Sequence, residues 1–464
     1  MTTRPGDGNR SGVPVEAVLP EGIRFYAARL AHVGLTFAVA VLLARLLGPD
    51  GKGAVQLLWL VPQLAAAVLI LGLHQANVYL LGVDREGGVT REPQLLWNGL
   101  YACAVLGAAG AVAIAVGRLP LARVLGLGAE ASALGLAAVL IPLTMLWTIA
   151  LHFLLGRLAF RERNLLEVTT TALLAVATAV LVWGARLGAG GAVVARIVAL
   201  AIALLLAAWW LGRSGLRMRP VPPVPRLLRA ALGYGMRSQA GNVLQMMNLR
   251  LDMLFVGGFL GTTEVGIYSV AVAVGELLWF LPTAMGSVLF PTIAGRDMER
   301  SSGVASRACR QALLLTGLGA AAMAIAGRWL LPLVFGGAFA DAWIPLLVLL
   351  PGIVALAFHR VLIFALMSWG RPQEMSYAAL LALVVTIVLD LLLIPRWGIL
   401  GAAAASTLAY ATCGGYTAIR FLHVTGTAWT SICVPRRADL CELWDHAVDS
   451  VRGAARGLRG GGAR

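Results

Sequence analysis

Long apolar stretches alternate with short polar stretches along almost the whole chain. Twelve of the apolar stretches are long enough to cross a bilayer as a helix, which takes about 20 residues. They lie near residues 23–46, 54–82, 93–116, 131–155, 165–184, 191–212, 229–259, 263–290, 308–334, 343–369, 373–394 and 399–423. Their length, and the Gly and Pro residues between them, favour helices over strands. The pattern predicts an all-α polytopic membrane protein with about 12 transmembrane helices.

A basic, proline-rich segment lies between the sixth and seventh stretches. It contains Pro220, Pro222, Pro223 and Pro225, and proline is unfavourable inside a helix. We therefore predict a linker at residues 213–228 between a six-helix half at 23–212 and a second half at 229–424. Polar tails are predicted at residues 1–22 and 425–464. For the second tail, the spacing of Leu440 and later apolar residues fits an amphipathic helix, and a disordered basic tail is the alternative.

Arginine is distributed unevenly between alternate loops. One set of loops is rich in it, whereas the opposite loops have fewer basic residues and include Lys52, the single lysine of the chain. The positive-inside rule places the arginine-rich loops in the cytoplasm. Both termini and the 213–228 linker are therefore expected to be cytoplasmic. The arginine-rich set comprises Arg85, Arg91, Arg157, Arg161, Arg163, Arg213, Arg217, Arg219, Arg226, Arg296, Arg300, Arg307 and Arg371.

The chain also contains an internal repeat. A shift of 213 residues aligns Gly22 with Gly235 and Gly53 with Gly266 without a gap. A shift of 210 residues aligns the segment at residues 186–192 with the segment at residues 396–402. Because each repeat contains an even number of helices, the two halves share one orientation in the membrane. A substrate site is expected between such parallel repeats.

The composition supports a membrane protein and argues against a soluble or nucleic-acid-binding protein. Hydrophobic residues make up 59% of the 464 residues and charged residues 13%, against roughly 25% charged in a soluble domain. The formal charge of +15 would favour nucleic acid in a soluble protein, but here arginines between apolar stretches set topology and contact lipid headgroups. We expect membrane lipids, and no nucleic acid, as partners. No phosphate-binding loop and no Cys/His spacing for a metal occurs in the sequence, so no cofactor is expected.

Motifs at the helix ends resemble one family of transporters. They include Ala-Arg-Leu-Leu-Gly-Pro-Asp at residues 44–50, Arg-Leu-Asp at 250–252, Leu-Pro-Gly at 350–352, Gly-Arg-Pro at 370–372 and Ile-Pro-Arg-Trp-Gly at 394–398. In this order the motifs resemble the polysaccharide transport branch of the superfamily that also holds the MATE drug exporters and the lipid II flippases. The resemblance implies a MATE-like fold with two parallel six-helix repeats.

The resemblance also implies a function. Members of this family are expected to flip an undecaprenyl-pyrophosphate-linked oligosaccharide from the inner to the outer leaflet, without enzymatic chemistry, by alternating access in a bacterial inner membrane. Partners would be the lipid-linked oligosaccharide and polysaccharide assembly machinery. Two alternatives stay open: a MATE-type exporter of drugs or metabolites, coupled to a cation, and a polytopic glycosyltransferase or polymerase.

The seventh apolar stretch carries a polar stripe. Steps of three or four residues place Arg237, Gln245, Asn248 and Asp252 along one helix face, which must meet protein or water rather than lipid. Because a pyrophosphate requires cations, we predict a cationic cavity open to the cytoplasm. Anchoring of helix ends at lipid headgroups is the alternative role for its arginines. The predicted binding residues are Arg24, Arg29, His32, Arg237, Gln245, Asn248, His359 and Arg360.

Three carboxylates inside apolar stretches are candidates for ion coupling. Asp252, Glu276 and Asp390 lie where an ionised side chain is costly unless it is paired or functional. Coupling to H⁺ or Na⁺ is one role for them, and pairing with an arginine such as Arg250 is the other.

Overall fold

The computed structural model describes residues 15–88, 91–216 and 219–434 together with residues 436 and 439, and side chains from residue 28 onward except that of residue 129. Within these ranges every regular element is helical. In chain order the α-helices are α1 Val15–Leu69, α2 Leu73–Glu86, α3 Glu92–Val116, α4 Arg118–Val124, α5 Ala131–Ala137, α6 Leu140–Gly156, α7 Phe160–Thr178, α8 Gly188–Arg213, α9 Pro225–Leu260, α10 Thr262–Glu276, α11 Phe280–Ile293, α12 Met298–Phe335, α13 Trp343–Ser368, α14 Gln373–Trp397, α15 Ile399–Thr425 and α16 Thr430–Cys433.

Ten helical segments in the described ranges are long and apolar enough to cross a membrane. Many of their large apolar side chains point outward, as Val105 and Leu205 do with 69% and 71% of their surface exposed. Exposed apolar surface along long helices is favourable in lipid and unfavourable in water. The chain is therefore a multi-pass membrane protein, as the apolar stretches predict.

Helix α1 bends sharply at one glycine. Gly48 has a φ of 65° and a ψ of −174°, a left-handed backbone that favours glycine. Gly261, which the 213-residue shift pairs with it, joins α9 to α10 with a φ of 91° and a ψ of −177°. These two glycines therefore turn the chain in the same way at corresponding points.

The segments after these two turns cross in direct backbone contact. A Cβ atom on Gly53 would lie 1.7 Å from the carbonyl oxygen of Thr262, and one on Gly266 would lie 1.9 Å from that of Pro49. Any side chain at either position would force the helices apart. The side chain of Asp50 also accepts a hydrogen bond from the hydroxyl of Thr262. This crossing therefore joins the helices before residues 214–224 directly to those after them.

The C-terminal segment packs against the end of α12. Ile432 is fully buried in a small apolar cluster with residues of α11, α12, α13 and α15. Arg310 on α12 donates two hydrogen bonds to Asp439, at 2.7 and 2.8 Å, and both side chains are buried. The segment at 438–458, for which an amphipathic helix is predicted, lies outside the described residues apart from Asp439.

Candidate functional site

A cavity of about 490 Å³ lies between helices from both parts of the chain. Its wall is built mainly by α1, α6, α7 and α8, and α9 and α10 complete it from the other side. This position, between helices before and after residues 214–224, is where a site between two halves would lie. The polar and aromatic lining comprises His32, Thr36, Lys52, Gln56, Trp59, Gln63, Thr144, Trp147, Thr170, Thr171, Arg196, Arg250, Ser269 and Glu276.

One face of α1 supplies a continuous polar stripe to the cavity. Lys52, Gln56, Trp59 and Gln63 follow one another at steps of four, three and four residues, the spacing of one helix face. The ammonium of Lys52 donates to the side-chain oxygen of Gln56 at 3.2 Å. The amide of Gln56 in turn lies 3.4 Å from the sulfur of Met253 on α9. The stripe therefore connects the two sides of the cavity.

Two cations of the cavity have no carboxylate partner in the described part of the chain. Lys52 is only 5% exposed, and its recorded polar contact is the neutral amide of Gln56. The guanidinium of Arg196 lies 4.8 Å from the centre of the Trp59 ring, a cation–π contact. A buried cation without a counter-charge is costly. The pair therefore forms a site that an anion would stabilise.

The third cation of the cavity is paired. Arg250 on α9 donates hydrogen bonds of 2.6 and 3.0 Å to the two carboxylate oxygens of Glu276 on α10. Both side chains remain about a quarter exposed, at 26% and 24%. Glu276 is the one carboxylate among the described cavity residues. The cavity wall therefore carries a net positive charge.

A separate cluster of buried polar groups lies within the C-terminal helices. Asp252 is fully buried and accepts hydrogen bonds from Tyr268 at 2.6 Å and Ser406 at 3.1 Å. Asp390 on α14 is also fully buried, and neither of its oxygens has a hydrogen-bond partner among the described residues. The two carboxyl groups interact electrostatically. Such a pair suits a shared proton or a bound cation.

A hydrogen bond one helical turn away holds the two carboxylate-bearing helices together. Thr386 on α14 donates to Asn248 on α9 at 2.7 Å, and both side chains are buried. These residues precede Asp390 and Asp252 by four positions each, which is one turn. The matched spacing brings both carboxyl groups to the same level of the α9–α14 contact.

The predicted site residues separate into four groups in the structure. His32 and Glu276 line the cavity, whereas Asn248, Asp252 and Asp390 form the buried cluster. His359, Gln245 and Arg360 pack among the C-terminal helices, against Thr417, Cys413 and the Trp279 ring respectively. Arg29 and Arg237 are exposed, and the side chain of Arg24 lies outside the described side chains.

Sequence reasoning missed Lys52 and Arg196, the two cavity cations without a carboxylate partner among the described residues. Lys52 was assigned to an outer loop, although the helix continues through it and buries it. Arg196 lies eight residues inside α8, among apolar residues. A charged side chain within an apolar stretch is itself a functional signal, so Arg196 could have been found. Lys52 could not, because its burial depends on helices distant in sequence.

The fold matches solved transporter structures over most of the chain. An inward-facing MATE family multidrug resistance transporter of the MOP superfamily aligns with a TM-score of 0.73 at 15% identity, over 86% of this chain and 96% of that one. The lipid II flippase MurJ, in an inward closed conformation, aligns with a TM-score of 0.71 at 13% identity, over 87% and 88%. At these identities the similarity establishes the fold alone, which is MATE-like and MurJ-like.

Curated relatives match part of the sequence. The probable flippase AglR of Haloferax volcanii is 30% identical over 39% of this chain, and the succinoglycan biosynthesis transport protein ExoT of Rhizobium meliloti is 29% identical over 67%. The matches span 39% and 61% of the lengths of these two proteins. A family model described as polysaccharide biosynthesis protein matches residues 42–344, more than half of the chain. This chain therefore belongs to the polysaccharide biosynthesis protein family.

Proposed function

We propose that this protein is a flippase that moves an undecaprenyl-pyrophosphate-linked oligosaccharide from the inner to the outer leaflet for cell-surface polysaccharide biosynthesis. The observation that carries the proposal is the cavity, which is lined by the buried Lys52 and the partly buried Arg196, neither of which has a carboxylate partner among the described residues. The names of the relatives support the same function, as a probable flippase and a succinoglycan transport protein. The step moves a lipid and requires no bond to be made or broken.

The chemistry of the cavity matches the headgroup of such a lipid. A pyrophosphate carries about two negative charges, and lysine and arginine are the side chains that bind phosphate oxygens in proteins. Gln56, Gln63 and the hydroxyl of Thr144 offer hydrogen bonds of the kind that a saccharide requires. An exporter of organic cations would instead need free carboxylates in the cavity. Glu276, the one carboxylate among the described lining residues, is already paired with Arg250.

We propose that the ten segments correspond to twelve spans in two parallel six-helix repeats that rock about the cavity. The bend at Gly48 divides α1 into two spans, and α15 supplies the twelfth. The matching conformations of Gly48 and Gly261 support the repeat. In a bacterial inner membrane, the arginine-rich loops place both termini and the linker in the cytoplasm. Labelling of a linker cysteine from outside intact cells would contradict this orientation.

The exposed arginines have a separate role in the proposal. Arg29 and Arg237 lie toward the cytoplasmic ends of α1 and α9 in this topology, where the headgroup would first arrive. Because they remain solvated, their contribution is expected to be smaller than that of Lys52 and Arg196 in the cavity. Arg24 belongs with them by its position in the sequence. Arg360, His359 and Gln245 support the C-terminal helices.

Ion coupling is assigned to the buried carboxylates. Asp390 has two oxygens without hydrogen-bond partners in the described part of the chain, next to a satisfied Asp252. Binding of H⁺ or Na⁺ there would relieve the repulsion between the two carboxyl groups. The gradient of that ion would then drive the return of the empty carrier. No resident cofactor is required.

The test replaces Lys52 and Arg196 in turn in cells that depend on this protein for surface polysaccharide. Lys52→Gln and Arg196→Gln each remove a charge-assisted contact of about 1.5–3 kcal/mol, which corresponds to a roughly tenfold to hundredfold loss of flipping. Arg328→Gln is the matched control because Arg328 is an exposed arginine on α12. Flipping of a pyrophosphate-linked saccharide in proteoliposomes measures the same loss directly.

The outcomes separate the proposal from its alternatives. Normal export by the Lys52→Gln, Arg196→Gln double variant at normal protein levels would rule out the cationic-cavity mechanism. Efflux of organic cations by the wild-type protein, without flipping, would favour a MATE-type exporter. Transfer or polymerisation of sugars by the purified protein would favour the glycosyltransferase or polymerase alternative.

A further inference from the structure

Arg250 and Glu276 form an ion pair in the wall of the cavity. The two hydrogen bonds, of 2.6 and 3.0 Å, use both carboxylate oxygens of Glu276. The pair still faces the cavity, since both residues line it and about a quarter of each side chain is exposed. Glu276 therefore satisfies a guanidinium that would otherwise be left without a counter-charge.

Glu276 lies at a discontinuity between helices. It is the last residue of α10, a 3₁₀ turn follows at Leu277–Trp279, and α11 begins at Phe280. Arg250 lies in the middle of α9. The carboxylate of Glu276 can leave the guanidinium by rotation about its own side-chain bonds, with the backbone unchanged.

We propose that the anionic headgroup of the cargo displaces Glu276 from Arg250, so that Glu276 acts as a built-in competitor for the cargo. The proposal rests on the flippase function and adds a third cation to Lys52 and Arg196, which have no carboxylate partner among the described residues. Phosphate oxygens can replace carboxylate oxygens on the planar guanidinium, because both accept two parallel hydrogen bonds. Competition of this kind weakens binding and so favours release of the cargo after flipping.

Binding of inorganic pyrophosphate to the purified full-length protein tests the displacement. Because Glu276→Gln keeps the shape and removes the charge, it should tighten pyrophosphate binding by at least about tenfold. Arg250→Gln should weaken binding. In the Arg250→Gln background, Glu276→Gln should give little further gain, because its competitor role needs the guanidinium. An equal gain in both backgrounds would show general charge repulsion and would overturn the proposal.

A second variant keeps the test decisive if Arg250→Gln does not fold. Glu276→Asp retains the charge but is one methylene too short for the observed pair. Displacement predicts binding tighter than wild type, whereas charge repulsion alone predicts no change, which would overturn the proposal.

The Lys52→Gln variant distinguishes failure of the displacement proposal from failure of the proposed flippase function. If wild-type binding depends on Lys52 but Glu276→Gln is no tighter, displacement is wrong and the anion site stands. If pyrophosphate binds neither wild type nor Glu276→Gln, the anion site itself fails.

Discussion

The N-terminal and C-terminal helices place opposite charges at the centre of the molecule. On the N-terminal side, Lys52 and Arg196 face a cavity and have no carboxylate partner in the described residues. On the C-terminal side, Asp252 and Asp390 are fully buried within the helix bundle, and neither lines the cavity. In the proposed mechanism, the N-terminal helices bind the anionic headgroup and the C-terminal helices bind the coupling cation or proton.

One ion pair lies between these two regions. Arg250 lines the cavity, and on the same helix it is two residues from Asp252. Its partner Glu276 belongs to the helix that also carries Tyr268, the residue that donates to Asp252. A change at Arg250 therefore reaches both the cavity and the carboxylate cluster through α9 and α10.

The largest effect on transport is expected from neutralising a carboxylate of the buried cluster. Asp390→Asn should remove the response of flipping to an H⁺ or Na⁺ gradient, because the amide can neither gain a charge nor lose a proton. Pyrophosphate binding should persist, since Asp390 does not line the cavity. Flipping in proteoliposomes with and without each gradient measures the effect. Asp341→Asn, at an exposed position, is the control.

If Asp390→Asn still responds to the gradient, ion coupling does not depend on the C-terminal cluster. Loss of pyrophosphate binding together with the gradient response would mean that the two regions do not function separately.

Disturbing the crossing between the two regions should have an intermediate effect. Gly266→Ala would place a methyl group 1.9 Å from the carbonyl oxygen of Pro49, so the helices must separate. Overpacking of this kind costs about 1–3 kcal/mol. We expect a lower thermal midpoint in detergent. Gly415→Ala, where the methyl group would meet no atom within 4 Å, is the control and should be neutral or stabilising. Equal midpoints for the two variants would contradict the close crossing.

The smallest expected effect on transport lies outside both regions, at the Arg310–Asp439 pair. Hydrogen bonds from Arg310 lower the pKa of Asp439 below its usual range. The stability that this pair contributes is therefore present above the unfolded pKa of about 3.9 and is lost as the pH falls through the lowered folded pKa. Asp439→Asn removes it at every pH and should expose the tail to protease at neutral pH, with flipping nearly unchanged.

Limited proteolysis between pH 7 and about pH 3 gives the measurement for the tail. The wild-type tail should become susceptible only at the acid end. Resistance of Asp439→Asn at neutral pH would show that burial of Ile432, rather than the ion pair, holds the segment.

The membrane-spanning architecture could be predicted from the sequence because lipid imposes a strict length and polarity on each helix. Helix α8, at Gly188–Arg213, and helix α14, at Gln373–Trp397, lie close to the predicted stretches 191–212 and 373–394. The polar stripe on α9 was also visible, since helical periodicity places Asn248 and Asp252 on one face. The structure buries both side chains.

The cavity was decided by tertiary structure. Lys52 belongs to the site because α10 crosses α1 at Gly53 and Gly266, 213 residues apart in sequence, and encloses the helix face that carries it. Arg196 lies on α8, far along the chain from Lys52, and joins the site through its contact with the ring of Trp59 on α1. The sequence alone determined which segments enter the membrane, because that choice depends on local polarity. Which charges meet depends on how distant helices pack, and local polarity carries no information about that.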